Sequence, residues 1–184
     1  FCLAPLTNAA HTALYFSSYT ADGNESATSL RALQRAGYET IYLTAAIVEH
    51  YGLAAILARA GFRHIIDGKR LSGQLSSSQR GAVSDAVLLT EGLAAIRALL
   101  GRHGKPFFIH VHAANSHIPY RTSDPVRFCR HDAADDRGRF LNAIEETDWI
   151  FGELWAALQE LANGDADEPL LLVSADHGQA FGEH

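Results

Sequence analysis

The 184-residue chain is poor in sulfur and in lysine: it holds two cysteines, no methionine and only two lysines. Cys2 and Cys129 can close at most one bridge, so there is no disulfide framework, and both read as reduced and inert. No apolar run approaches the roughly 18 to 20 residues that cross a bilayer, so no membrane span is expected within this chain. A basic-then-apolar signal segment is not found in it either. The formal net charge is −6, which makes the chain a poor non-specific ligand for nucleic acid. Repeats and low-complexity stretches are missing too. What is there is ordinary for a soluble globular protein: 47% apolar and 20% charged residues, at a length that suits one domain over 1–184. That balance excludes a disordered tail, a collagen-like repeat and a coiled coil. The chain opens on Phe1 and stops at Gly182-Glu183-His184, and it reads as a processed product or an excised piece of a longer protein.

Helix-like and strand-like periodicities alternate along the chain. Ala27 to Ala36 reads as a helix stopped by Gly37, and Thr40 to Ala45 as a β-branched and aromatic strand. Tyr51 to Ala60 is helical up to Gly61, and Phe62 to Ile66 is a second short strand. The Gly- and Ser-rich segment Gly68 to Arg80 reads as a loop. A helix is expected over Ser84 to Leu100 with Ser84 as N-cap, then a strand over Pro106 to His112. Ala113 to Arg137 looks irregular, and Arg139 to Leu161 is a long amphipathic helix. Leu170 to Ser174 is apolar and short enough for a buried strand. Strands separated by helices predict an α/β fold, with a mostly parallel central sheet and helices on both faces. In such sheets functional residues collect beyond the carboxyl ends of the strands.

Two motifs sit at such ends. In Ser174-Ala175-Asp176-His177-Gly178, a carboxylate and an imidazole side by side suit a divalent metal, or else form a plain turn. In Asn115-Ser116-His117-Ile118-Pro119-Tyr120 the proline stiffens the loop. His117 is then either a fixed imidazole for an anionic oxygen or a leaving group, or a surface histidine in a turn. His110 and His112 share one strand face, where packing and hydrogen bonding are the common fate, with His112 nearer the site. Near the start, Thr7 and His11 fall on one side of a helix if a helix begins there. Thr7 is then a hydroxyl at the positive end of a helix dipole, open to an anion, or simply a cap.

Taken together these segments resemble the sulfatase-like branch of the alkaline phosphatase superfamily, which holds sulfatases and lipid-head-group phosphotransferases. PFFIHVHAANSHIPY resembles the branch's strand and His-x-Pro-Tyr loop, and LLLVSADHGQAFGEH its Asp-His-Gly metal motif with the trailing Gly-Glu-His. RFLNAIEETDWIFGELWAAL resembles the helix before the metal strand, and SLRALQRAGYETIYLT the early helix, Gly-Tyr turn and second strand. The resemblance implies an alkaline-phosphatase-like domain truncated at both ends. The family's acidic ligands before the nucleophile, and its further His or Lys residues after Gly-Glu-His, fall outside the chain.

Position by position, it implies that Asp176, His177 and Thr7 bind metal, that Thr7 as nucleophile and His117 are catalytic, and that His117, His11 and His112 contact substrate. The implied activity is metal-dependent transfer or hydrolysis of a phosphate ester through a covalent phosphothreonine, on a substrate that includes a lipid or glycan head group. His177 points to zinc or manganese, and an all-oxygen sulfatase site to calcium or magnesium. The alternatives are a sulfatase using Cys2 as formylglycine, where Leu6 stands in place of the family's arginine, and an inactive sulfatase-like binding domain. An extracytoplasmic location follows from the family alone. The stretch Arg121 to Arg139, with five Arg against four Asp, reads as a solvated, self-neutralising loop or as a contact for an anionic head group.

Overall fold

A computed structural model describes residues 6–17, 28–49, 52–73, 82–103, 106–162 and 169–181. Its centre is the strand Glu39–Thr44 (β1), whose six residues are all buried. On one edge β1 pairs in parallel with His64–Ile66 (β2), and on the other with Phe107–His112 (β3), giving the order β2-β1-β3. The parallel sheet is therefore observed as expected. Side chains alternate across it, so β1 feeds two different cores. Ile41 and Leu43 join Ile96 of α5 (Glu91–His103) and Ile150 and Leu154 of α6 (Asp136–Ala162). Tyr42 points to the other face, into a cluster with three helices. These supply Tyr15 from α1 (Thr7–Phe16), Leu30 from α2 (Ser29–Arg35) and Leu57 from α3 (Leu53–Ala60).

Local signals end the helices where the sequence places them. Gly37 and Gly61 adopt φ of 91° and 105°, the left-handed region that a side chain resists. Thr28 caps α2 by accepting from the Arg31 amide. Three expectations need correction. The helix read from Ser84 onward is broken: Ser84 caps a 3-10 turn at Asp85–Leu88, and α5 starts only at Glu91. The cause is Asp85, whose amide and carboxylate are both tied to the loop after β3, so this turn cannot continue in line with α5. The Gly/Ser-rich loop begins with a short helix, α4 (Gly68–Ser72), capped by the Asp67 side chain on the Arg70 amide. Residues 74–80 lie outside the described residues.

Leu170 to Ser174 is not a buried strand. Leu170 to Val173 are 51–84% exposed and pair with no strand among the described residues. An apolar run becomes a buried strand only beside a strand and under a covering layer, and among the described residues neither reaches this run.

Candidate functional site

The adjacent strands β1 and β3 have connecting helices on opposite faces, which opens a crevice at their carboxyl ends. A cavity of about 810 Å³ lies there, and Thr7, His11, His112, His117, Asp176 and His177 all line it. The structure thus brings together every candidate residue named from the sequence apart from Cys2, which lies outside the described residues. Cys129 is an exposed free thiol.

Thr7 is the first residue of α1, not its cap; Leu6 holds the cap position and makes no side-chain cap bond. The Thr7 hydroxyl, at the positive end of the helix, is 3.3 Å from His177 Nε2. It also hydrogen-bonds Asp176, whose Oδ2 lies 3.5 Å from the same imidazole nitrogen. His177 Nδ1 donates to the Gly178 carbonyl at 2.9 Å, which turns Nε2 toward Thr7 and Asp176. A carboxylate, an imidazole nitrogen and a hydroxyl oxygen therefore converge at the start of α1. Burial pushes the Asp176 carboxyl up, but the His177 amide, the Thr7 hydroxyl and nearby imidazoles outweigh it and hold the group below its ordinary value. Mixed oxygen and nitrogen donors of this kind fit a divalent cation such as zinc or manganese. Among the described residues, no three His, Cys, Asp or Glu side chains cluster as a metal site.

Behind this rim lies an imidazole–phenol cluster. Tyr42 stacks on His110 with centroids 5.0 Å apart, and His11 lies 5.1 Å from His112 and 5.5 Å from His110. Tyr15 bonds His110 Nδ1 at 2.9 Å. Burial, reinforced by the neighbouring imidazoles, pushes His110 down to about 3 and His112 down to about 4. Burial also lowers His11. The shared strand face is as expected. His11, by contrast, is 3% exposed with both ring nitrogens engaged inside the protein.

The loop carrying His117 is fixed at both ends by buried carboxylates that the sequence reading did not single out. Asp85 accepts from the Ala114 amide at 2.8 Å and the Asn115 amide at 2.7 Å. Glu146 of α6 accepts from Asn115 Nδ2 at 2.6 Å and from the Ser123 amide at 3.0 Å. Both carboxylates are fully buried. Burial, against those amide bonds, pushes Asp85 up to about 6. Between the clamps, His117 Nδ1 donates to the Ile118 carbonyl at 2.9 Å. Tyr120, Phe140 and Phe181 pack with centroids 5.3–6.0 Å apart, tying this loop to α6 and to the segment after Asp176. One signal for Glu146 was present: it falls between Ala143 and Ile150 on the buried stripe of α6, where a carboxylate needs partners.

The arginines of the stretch Arg121 to Arg139 divide among an internal carboxylate, a carboxylate outside it and an aromatic ring. Arg130 pairs with Glu145 at 2.9 Å, Arg139 pairs with Asp136, and Arg127 stacks 4.0 Å over Trp149. Arg121 lines the cavity.

Solved structures share this fold. The lipoteichoic acid synthase LtaP from Listeria monocytogenes aligns over 89% of this chain and 42% of its own, with TM-score 0.67 and 18% identity. A protein in the alkaline phosphatase superfamily from Vibrio parahaemolyticus aligns over 87% and 40%, with TM-score 0.65 and 16% identity. The C-terminal periplasmic domain of EcEptC from Escherichia coli, in complex with Zn, aligns over 87% and 47%, with TM-score 0.60 and 17% identity. The chain spans less than half the length of each. No curated protein matches it. The Sulfatase family model, however, matches residues 4–184, so the chain belongs to the Sulfatase family, in the sulfatase-like branch of the alkaline phosphatase superfamily.

Proposed function

We propose that this chain carries the nucleophile half of a metal-dependent enzyme acting on phosphate esters, with Thr7 as the attacking residue. The observation that supports this reading is the meeting of Thr7 Oγ1 with His177 and Asp176 across 170 residues of sequence, at the start of α1. Asp176, His177 and Thr7 would hold a zinc or manganese ion, whose charge would lower the hydroxyl's pKa and screen the substrate oxygens. The N-terminus of α1 orients the phosphoryl group over Thr7. The hydroxyl proton passes to water as the Oγ1–phosphorus bond forms, while Asp176 and His177 keep Thr7 Oγ1 in place. The ester's phosphorus–oxygen bond breaks at the same time, and the alcohol leaves with the electron pair and takes a proton from water. His117, on its clamped loop, steadies the transferring oxygens. Water or an acceptor hydroxyl then takes the phosphoryl group and frees Thr7.

The synthase and the zinc-bound domain among the structural relatives support a head-group substrate, a zinc ion and an extracytoplasmic location for the whole protein. In the full-length protein, Thr7→Ala is expected to abolish turnover of a phosphate-ester panel while bound metal, measured by elemental analysis, persists. Turnover surviving in that variant would sink the reading.

A further inference from the structure

His112 faces the cavity from the end of β3, and its neighbours decide which of its nitrogens carries the proton. The deduction starts at Thr7. His11 Nδ1 lies 2.9 Å from the Thr7 carbonyl oxygen, which can only accept, so this nitrogen carries a hydrogen. His11 is 3% exposed and packed against His110, His112, Tyr15 and Tyr42, where burial outweighs the pull of Asp176, so the ring is neutral and its Nε2 is a lone pair. The Tyr42 hydroxyl, 3.1 Å away, must then donate to it. That spends the only proton of Tyr42. Its oxygen also lies 2.8 Å from His112 Nδ1, and with nothing left to give it can only accept there. His112 therefore carries its hydrogen on Nδ1, and neutral His112 has an unprotonated Nε2. His112 lines the cavity, and among the described residues its Nε2 has no hydrogen-bond partner, so this nitrogen is available to the cavity.

We propose that Tyr42 and His11 are positioning residues that lock His112 as its Nδ1–H tautomer, so that Nε2 accepts a hydrogen bond from a hydroxyl in the cavity. The hydroxyl is that of the acceptor: water, or an alcohol of the same chemistry. His110 has no such lock, because the Tyr15 hydroxyl that meets its Nδ1 has a single partner and can donate or accept. The proposal rests on the phosphate-ester reading for its reaction, but the tautomer itself does not.

The test uses the full-length protein with nitrogen-labelled histidine and a long-range proton–nitrogen correlation spectrum, alongside steady-state kinetics on a phosphate ester. The wild-type His112 is expected to show a protonated Nδ1 and an unprotonated Nε2. Tyr42→Phe is expected to move the proton to Nε2 in much of the population and to lower kcat/KM about tenfold. Tyr15→Phe, which removes the equivalent hydroxyl from His110, is expected to leave the His112 signature in place. A wild-type His112 protonated on Nε2 overturns the proposal without any variant. So does an unchanged signature in Tyr42→Phe, or a shift in Tyr15→Phe as large as that in Tyr42→Phe. An Nδ1–H tautomer found together with turnover that survives Thr7→Ala would overturn the phosphoryl-transfer reading and leave the lock standing.

Discussion

Replacing His110 with asparagine isolates one of the imidazoles that the fold keeps neutral. His110 faces His11 and Tyr15 from α1, Tyr42 from β1 and His112 from its own strand, with Asp176 exerting a weaker opposite pull. Unfolded, the group takes a proton near 6.5; folded, it does so only near about 3. The depressed base adds stability that is fully present above the unfolded value and lost as the pH falls from there toward the folded value. Between about pH 7 and about pH 5, full linkage for such a shift amounts to about 2 kcal/mol. His110 and His112 are both partly exposed, which reduces this to about 1–2 kcal/mol for each. Asparagine removes the titration and keeps a polar atom near the position of Nδ1, within reach of Tyr15. Urea unfolding at the two pH values, followed by circular dichroism with the slope held constant, reads the difference. The wild type is expected to lose about 2–4 kcal/mol from the two histidines and His110→Asn about half of that. An identical loss in both proteins would refute the assignment of acid sensitivity to this cluster.

Asp176→Ala is expected to weaken zinc or manganese binding by more than about 100-fold, measured by elemental analysis after dialysis, since it removes the charged member of the donor set. Glu146→Ala leaves the Ser123 amide and hydroxyl and the Asn115 amide group without their acceptor, and is expected to cost about 3 kcal/mol in urea unfolding while loosening the His117 loop. Leu43→Ala, at a fully buried position in the centre of β1, is expected to cost about 2–5 kcal/mol in the same assay. Arg121→Ala is expected to raise KM for an anionic ester several-fold with kcat nearly unchanged, as loss of uniform binding would.

Where the sequence was legible, one local pattern agreed with one outcome. β-branched and aromatic runs became β1, β2 and β3, and Gly37 and Gly61 sit at the helix ends in the backbone region that favours glycine. The pairing of Asp176-His177 with Thr7 was reached only through resemblance, because no periodicity connects groups 170 residues apart. Leu170 to Val173 failed for a reason that composition cannot show: an apolar run reports the wish to be covered, and not whether a layer is there to cover it. Tyr42 looked like one more aromatic strand residue, and Asp85 like part of a helix. Their roles depend on which neighbours the crossovers bring to them: two histidines for Tyr42, and the loop amides after β3 for Asp85.

The most direct test of the central claim is to mix the metal-loaded full-length protein briefly with a phosphate ester, quench in acid, and map the modified peptide by mass spectrometry. A phosphoryl group on Thr7, lost in Thr7→Ala, is the predicted result. A protein that turns over substrate with Thr7 unmodified, and with Cys2 converted to formylglycine, would contradict the account and transfer the chemistry to sulfate esters.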